Sequence, residues 1–334
     1  MSKQTLAVLT GLVLVSAGVV VAIFLARGYQ FDISKKSVTP TGILVATSDP
    51  DGAQVLIDGK LKTATNTTIN LEPGIYTVKI QKEGYTPWGK KVKIQKEEVF
   101  KTNAFLFPAL ADLRPLTFNG VSSPSASPDG TKIIYNTAKG LYQLDMGRSF
   151  LPNQFFSAGD ARQILIDPTD EWKILAEKQQ VDRIAKLPEE LKQFSPIFSP
   201  DESKILYTAT ASATLPKYLK TYLPGTNPTS EIRSLQSGDT YVYDIKEDKN
   251  YLIENCKFQI VNCVWFPSSR HILSVTKNQI SVMEFDGTNK AVLFNGEFDP
   301  KAVFPWPNWN KIVILTSLGA TDGQTENLYT INLR

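Results

Sequence analysis

The chain holds one histidine, His271, and two cysteines, Cys256 and Cys263. A lone imidazole rules out zinc sites and catalytic centres built on several of them. His271 opens the β-rich run His271-Ile272-Leu273, so it reads as a side chain on a strand face rather than a base. Two thiols make at most one disulfide and no four-thiolate metal site. Cys256 and Cys263 are seven residues apart. Within one extended strand that spacing places them about 23 Å apart, beyond bonding reach. If the chain turns between two strands, a disulfide forms in an oxidising compartment. Free thiols buried in adjacent strands are the other reading. No Gly-x-Ser-x-Gly elbow, His-Glu-x-x-His helix or phosphate-binding glycine loop occurs. Asp49, Asp51 and Asp58 lack the loop spacing of a calcium site and read as turn carboxylates. The sequence therefore offers no catalytic, cofactor-binding or metal-binding set. What remains for recognition is aromatic: Tyr218 and Tyr222, in Pro216–Leu223, are candidate partner contacts. The same tyrosines suit packing on the domain that carries them.

Charge and hydropathy set where these residues work. Lys and Arg total 36 against 33 acids, a net charge of +3, so no nucleic-acid partner is expected. The composition, 42% hydrophobic and 21% charged, is globular. From Thr5 to Ala26 no residue is charged. As a helix this run is about 33 Å long, against a bilayer core of about 30 Å, which predicts an N-terminal transmembrane helix over residues 1–27. The run is longer than a cleaved signal core, and Phe24-Leu25-Ala26-Arg27 is a poor cleavage sequence. Lys3 on one side and Arg27, Lys35 and Lys36 on the other leave orientation undecided by charge.

Residues 28–40 read as a linker. Beyond them lies a small β domain over 41–100. Ser48-Asp49-Pro50-Asp51-Gly52 is dense turn chemistry, and Asp58-Gly59 marks a hairpin. Tyr76, Val78 and Ile80 alternate with Thr77 and Lys79, the period of a strand with one buried face. Lys90, Lys91, Lys93 and Lys96 fit a solvated strand face in a segment of balanced charge. Pro50-Asp51-Gly52-Ala53, Val55-x-Ile57-Asp58-Gly59, Leu71-x-Pro73-Gly74-x-Tyr76-x-Val78 and Gly84-Tyr85 followed by Trp88 together resemble the PEGA domain. Thr63-Ala64-Thr65-Asn66 departs from the Gly-x-Thr-Pro that many members carry after the hairpin. The resemblance implies a β-sandwich-like module of extracytoplasmic proteins, serving surface contacts and no catalysis.

After a second linker, 101–112, a unit repeats to the end of the chain. Ser127-Pro128-Asp129-Gly130 leads into Lys132-Ile133-Ile134-Tyr135, and Ser199-Pro200-Asp201-Glu202 leads into Lys204-Ile205-Leu206-Tyr207. Looser copies begin at Asp167-Pro168, Phe266-Pro267 and Trp306-Pro307, the prolines stepping by 40, 32, 67 and 40 residues. A repeat of about 40 residues with several short strands is the size of a propeller blade. The copies resemble TolB-type, WD-repeat-like propeller repeats over 113–334. That implies a β-propeller of about five blades, six being the alternative. The long step contains a Pro- and Thr-rich insertion near 209–239. The stretch Arg114–Phe118 is expected to complete the last blade and latch the ring, removing exposed edges.

The fold class expected is thus all-β behind a transmembrane helix. The expected function is a single-pass, membrane-anchored binding or scaffold protein, its bulk extracytoplasmic. Its partners would be cell-envelope proteins or surface polysaccharide. The alternative is a propeller-based glycan hydrolase or lyase, which requires two carboxylates converging about 5 to 9.5 Å apart in the channel mouth. A mouth lined by hydroxyls, amides and aromatics favours binding.

Overall fold

The structure, a computed structural model, describes residues 3–26, 30–32, 37–110, 112–147, 161–185, 187–221, 223–254, 256, 262–318 and 326–334. It is mostly β and divides into two compact units. The first comprises Met1–Glu83, Pro87–Leu106 and Tyr222–Thr229, and the second Gly84–Thr86, Phe107–Thr221 and Ser230–Arg334.

The first unit opens with the helix Lys3–Ala26. Its apolar residues, Val8, Leu12 and Val15 among them, are exposed. Among the described residues no helix is long and apolar enough to cross a membrane. The expected linker carries a hairpin, Gln30–Asp32 against Ser37–Thr39. Then come two sheets. One has the order Lys60–Ala64, Gln54–Ile57, Gly74–Gln81, Trp88–Ile94, all antiparallel. The other sets Gly42–Ala46 between Thr67–Leu71 and the parallel strand Val99–Lys101. Strand alternation buries Val55, Ile57, Val78, Ile80, Val92 and Ile94 while their chain neighbours face out. A further parallel pair, Ala104–Phe105 with Ser48–Asp49, carries the domain past residue 100 into the expected second linker.

The second unit contains, among the described residues, four sheets of four strands. The first is Ser122–Ala126, Lys132–Thr137, Gly140–Asp145 and Ala161–Gln163. The second is Ile197–Phe198, Lys204–Thr208, Thr240–Asp244 and Lys249–Leu252. The third is Asn262–Trp265, His271–Val275, Gln279–Glu284 and Ala291–Asn295. The fourth joins Val303–Pro305, Lys311–Thr316 and Asn327–Asn332 to Asp112–Pro115, which arrives from the start of the unit. Strand addition to the last blade thus occurs, centred slightly before the expected Arg114–Phe118. Leu116, Ile133, Tyr135 and Leu144 pack with Trp306, Val313 and Leu328, so the first and fourth sheets share a core. Leu206 and Val242 of the second sheet pack with Trp265, Ile272 and Met283 of the third.

Two expectations are corrected. The chain has four such sheets among the described residues rather than about five blades, and they do not close into a ring. The repeat expected at Asp167–Ala176 is the cause: Thr169–Ile184 is a 16-residue helix. Pro168 precedes it, Asp170 and Glu171 occupy its first turn and Arg183 its last, as the helix dipole favours. A second short helix, Glu189–Lys192, follows. With Leu187 and Phe194, its Leu191 covers Ile205, Tyr207, Tyr241 and Tyr243. These alternate with Leu206 and Val242, so the short helix and the residues flanking it cover the face of the second sheet that is turned from the third.

The expected insertion is also present. It contains one short pairing, Ala213–Thr214 with Ser234–Leu235, and lies between the two central strands of the second sheet.

Candidate functional site: a hydroxyl-lined cavity

The second unit holds a cavity of about 980 Å³ at one end of its second and third sheets. Strand register explains its walls. Lys204–Thr208 ends and Thr240–Asp244 begins at the paired Thr208 and Thr240, whose hydroxyls are 3.0 Å apart. His271–Val275 ends beside Asn262, and the turn after it brings Thr276 and Lys277 to the rim. The roots of the insertion form another wall. Gly238 N–H donates to Ala209 C=O at 2.8 Å, and Ser237 Oγ donates to Thr210 C=O at 3.1 Å. Gly238 has φ +90, which disfavours any side chain at that corner. Phe194 comes from the helical segment and stacks on Tyr207 with ring centroids 5.5 Å apart.

The lining is therefore hydroxyls, one amide, aromatic and aliphatic surface and one ammonium group. Among the described residues no aspartate, glutamate or histidine lines it. Such a surface donates and accepts neutral hydrogen bonds and stacks on flat apolar groups. Paired carboxylates for glycoside hydrolysis, or a base beside a serine nucleophile, are not found among the described lining residues. Among the described residues no group of three or more His, Cys, Asp or Glu is placed to hold a metal.

Cys256 and Cys263 are joined as a disulfide with a Cα–Cα distance of 5.8 Å, and both line the cavity. His271 is buried in its strand, with Nδ1 2.9 Å from Ser268 Oγ and its ring edge-on to Phe107. It does not line the cavity. Tyr218 lies apart from it as well. Its hydroxyl donates to Glu190 at 2.7 Å and its backbone N–H to Asp248, while the residue stays partly exposed. Burial pushes the Tyr218 phenol up, and the bond to Glu190 adds to the shift. Tyr222 lies outside the described residues. Asp248, itself buried, gathers the Leu219 N–H, Arg233 and the Tyr243 hydroxyl. Burial raises its carboxyl, but those donors outweigh burial and hold it below the usual carboxylate range.

The acids of the repeat are consumed by their own turns. Asp129 accepts from Ser127 Oγ at 2.6 Å and from Thr131 N–H at 3.1 Å. Asp201 repeats the pattern with Ser199 and Ser203. Burial raises both carboxyls, yet the hydrogen bonds prevail and both sit below their ordinary value. These aspartates hold turns rather than reactants.

No curated protein sequence matches the chain. Solved structures similar to it include TolB from Acinetobacter baumannii, at 13% identity and TM-score 0.27, covering 77% of this chain and 46% of that one. The tricorn protease is similar at 11% identity and TM-score 0.26, covering 83% of this chain and 22% of that one. The acylaminoacyl peptidase of Pyrococcus horikoshii is similar at 12% identity and TM-score 0.23, covering 83% and 38%. The chain thus matches less than half the length of each of these three structures. Residues 41–109 match the PEGA domain family.

Proposed function

We propose that this protein is a membrane-anchored, extracytoplasmic binding or scaffold protein with no catalytic role. Its cavity is a mouth for an envelope protein or surface polysaccharide. The observation that carries the reading is the lining of that cavity, where aliphatic and aromatic side chains alternate with hydroxyls, Asn262 and Lys277 and, among the described residues, no carboxylate occurs. The Cys256–Cys263 disulfide supports an oxidising compartment. The uncharged run Thr5–Ala26, lying within one helix, supports an anchor. Tyr218, partly exposed and apart from the cavity, is a second candidate contact of the repeat unit, and Tyr222 stays a candidate from the sequence alone.

The test is capture from envelope extract by the full chain, compared with Thr276→Trp, which fills the cavity rim. A species held by the native chain and lost by the variant supports the mouth. Equal retention by both, or release of reducing sugar from envelope polysaccharide, overturns it. Protease treatment of intact cells reads orientation, since cleavage of the repeat unit from outside is the expected result.

A further inference from the structure

One face of the larger PEGA sheet carries lysine and apolar side chains together. Alternation turns Val78, Ile80, Val92 and Ile94 inward and Ile75, Thr77, Lys79, Lys91 and Lys93 outward. Register places them side by side. Ile75 faces Lys93, Thr77 faces Lys91, and Lys79 sits between Gly89 and Leu56. Leu61 continues the row beyond Leu56. Next-but-one residues on a strand are about 7 Å apart and paired strands about 5 Å, so the three ammonium groups share one small patch. Ile75 is 72% exposed and Leu61 61%. No carboxylate belongs to this face at any strand position named. Asp58, in the turn at its end, is engaged by Thr77 N–H at 2.8 Å. Among the described residues none of Lys79, Lys91 and Lys93 forms an ion pair.

We propose that this face docks on an anionic lipid surface, with the lysines at the headgroups and Ile75 and Leu61 at the acyl boundary. A soluble polyanion needs the charge but has no use for the exposed apolar side chains that flank the lysines; a lipid interface uses both. The tether permits it, because the 16 steps from Ala26 to Gly42 span at most about 55 Å fully extended and less with their hairpin formed. The inference rests on the anchored reading given above, which keeps the domain near a bilayer. Each lysine near such a surface strengthens binding roughly fivefold.

The test places the full chain in nanodiscs of phosphatidylcholine alone or with phosphatidylglycerol and measures amine acylation of each lysine by mass spectrometry. The expected result is at least a severalfold slower reaction at Lys79, Lys91 and Lys93 in anionic discs only. High salt should reverse it, and Lys173, on the exposed helix of the other unit, should not change. Equal reaction rates in both discs overturn the proposal and leave the anchor standing. Protection in neutral discs by dissolved dextran sulfate, with none from anionic lipid, overturns it in favour of a polymer. If the chain enters neither disc, the anchor reading fails, and flotation with anionic vesicles then reads the face directly. Flotation that the triple variant Lys79→Gln, Lys91→Gln, Lys93→Gln weakens roughly a hundredfold supports the proposal; no flotation overturns it.

Discussion

The Cys256–Cys263 disulfide makes a quantitative prediction. The bond closes a loop with a sequence separation of 7, between the end of the second sheet and the first strand of the third. The chain-entropy relation for so short a loop gives about 2.5 kcal/mol of stabilisation at 25 °C. Both sulfurs also sit against packed residues: Cys256 belongs to the core shared by the two sheets, and Cys263 packs against it. The perturbation is therefore made in two ways. Cys256→Ala with Cys263→Ala removes bond and sulfurs, and dithiothreitol on the native chain removes the bond alone. Urea unfolding followed by hydrogen exchange at Asn262–Trp265 and His271–Val275 measures the loss where it arises. We expect about 2.5 kcal/mol from reduction and somewhat more from the double variant, which also loses packing. A loss from reduction under about 0.5 kcal/mol, the range of a neutral substitution, would refute the reasoning. Exchange that rises equally in the PEGA strands would refute the local assignment.

Other outcomes are expected from single features. Leu191→Ala, at a fully buried position under the second sheet, should cost about 3 to 5 kcal/mol by calorimetry of the repeat unit, and a cost below about 1 would deny the helix its role in that core. Gly42→Ala should destabilise the PEGA domain by about 1 to 3 kcal/mol, because a Cβ there would meet Gln95 C=O at 2.2 Å; a neutral thermal shift would count against that approach. Arg233→Ala should cost about 3 to 5 kcal/mol by leaving buried Asp248 without its cation, and Arg233→Lys should recover part of this. Asp129 and Asp201 have folded values below the unfolded one near 3.9, so their stabilisation is complete above that pH and is lost as pH falls through the folded values. Asp129→Asn should flatten the decline in stability below about pH 4, and an unchanged slope would show that the turn carboxylate is not its source.

The PEGA domain was legible because its turns are spelled locally. Asp58 and Gly59 have φ +49 and +77, the conformation that the Asp-Gly pair announces. The repeat was legible at Ser127 and Ser199 for the same reason: hydroxyl, proline and aspartate build a self-contained turn. The copy at Asp167 misleads because Asp-Pro followed by Trp172-Lys173-Ile174-Leu175-Ala176 suits a strand or a helix start equally. The deciding signal lay just beyond, in Glu177-Lys178-Gln179-Gln180, a run of helix formers. The cavity was not legible at all. Its lining draws on separated stretches from Phe194 to Pro300, and only pairing such as Thr208 with Thr240, across the insertion, brings them together. The cysteines were ambiguous because their spacing allows either a through-strand separation or a turn.

The partnership of Asp112–Pro115 with Asn327–Asn332 has a consequence for biosynthesis. The two strands meet only after the roughly 210 residues between them have been made, about 10 to 40 s of translation. Throughout that interval Asp112–Pro115 waits as a bare backbone ribbon, able to recruit a strand from a neighbouring nascent copy. A chain cut short within the final sheet would keep this ribbon unmated.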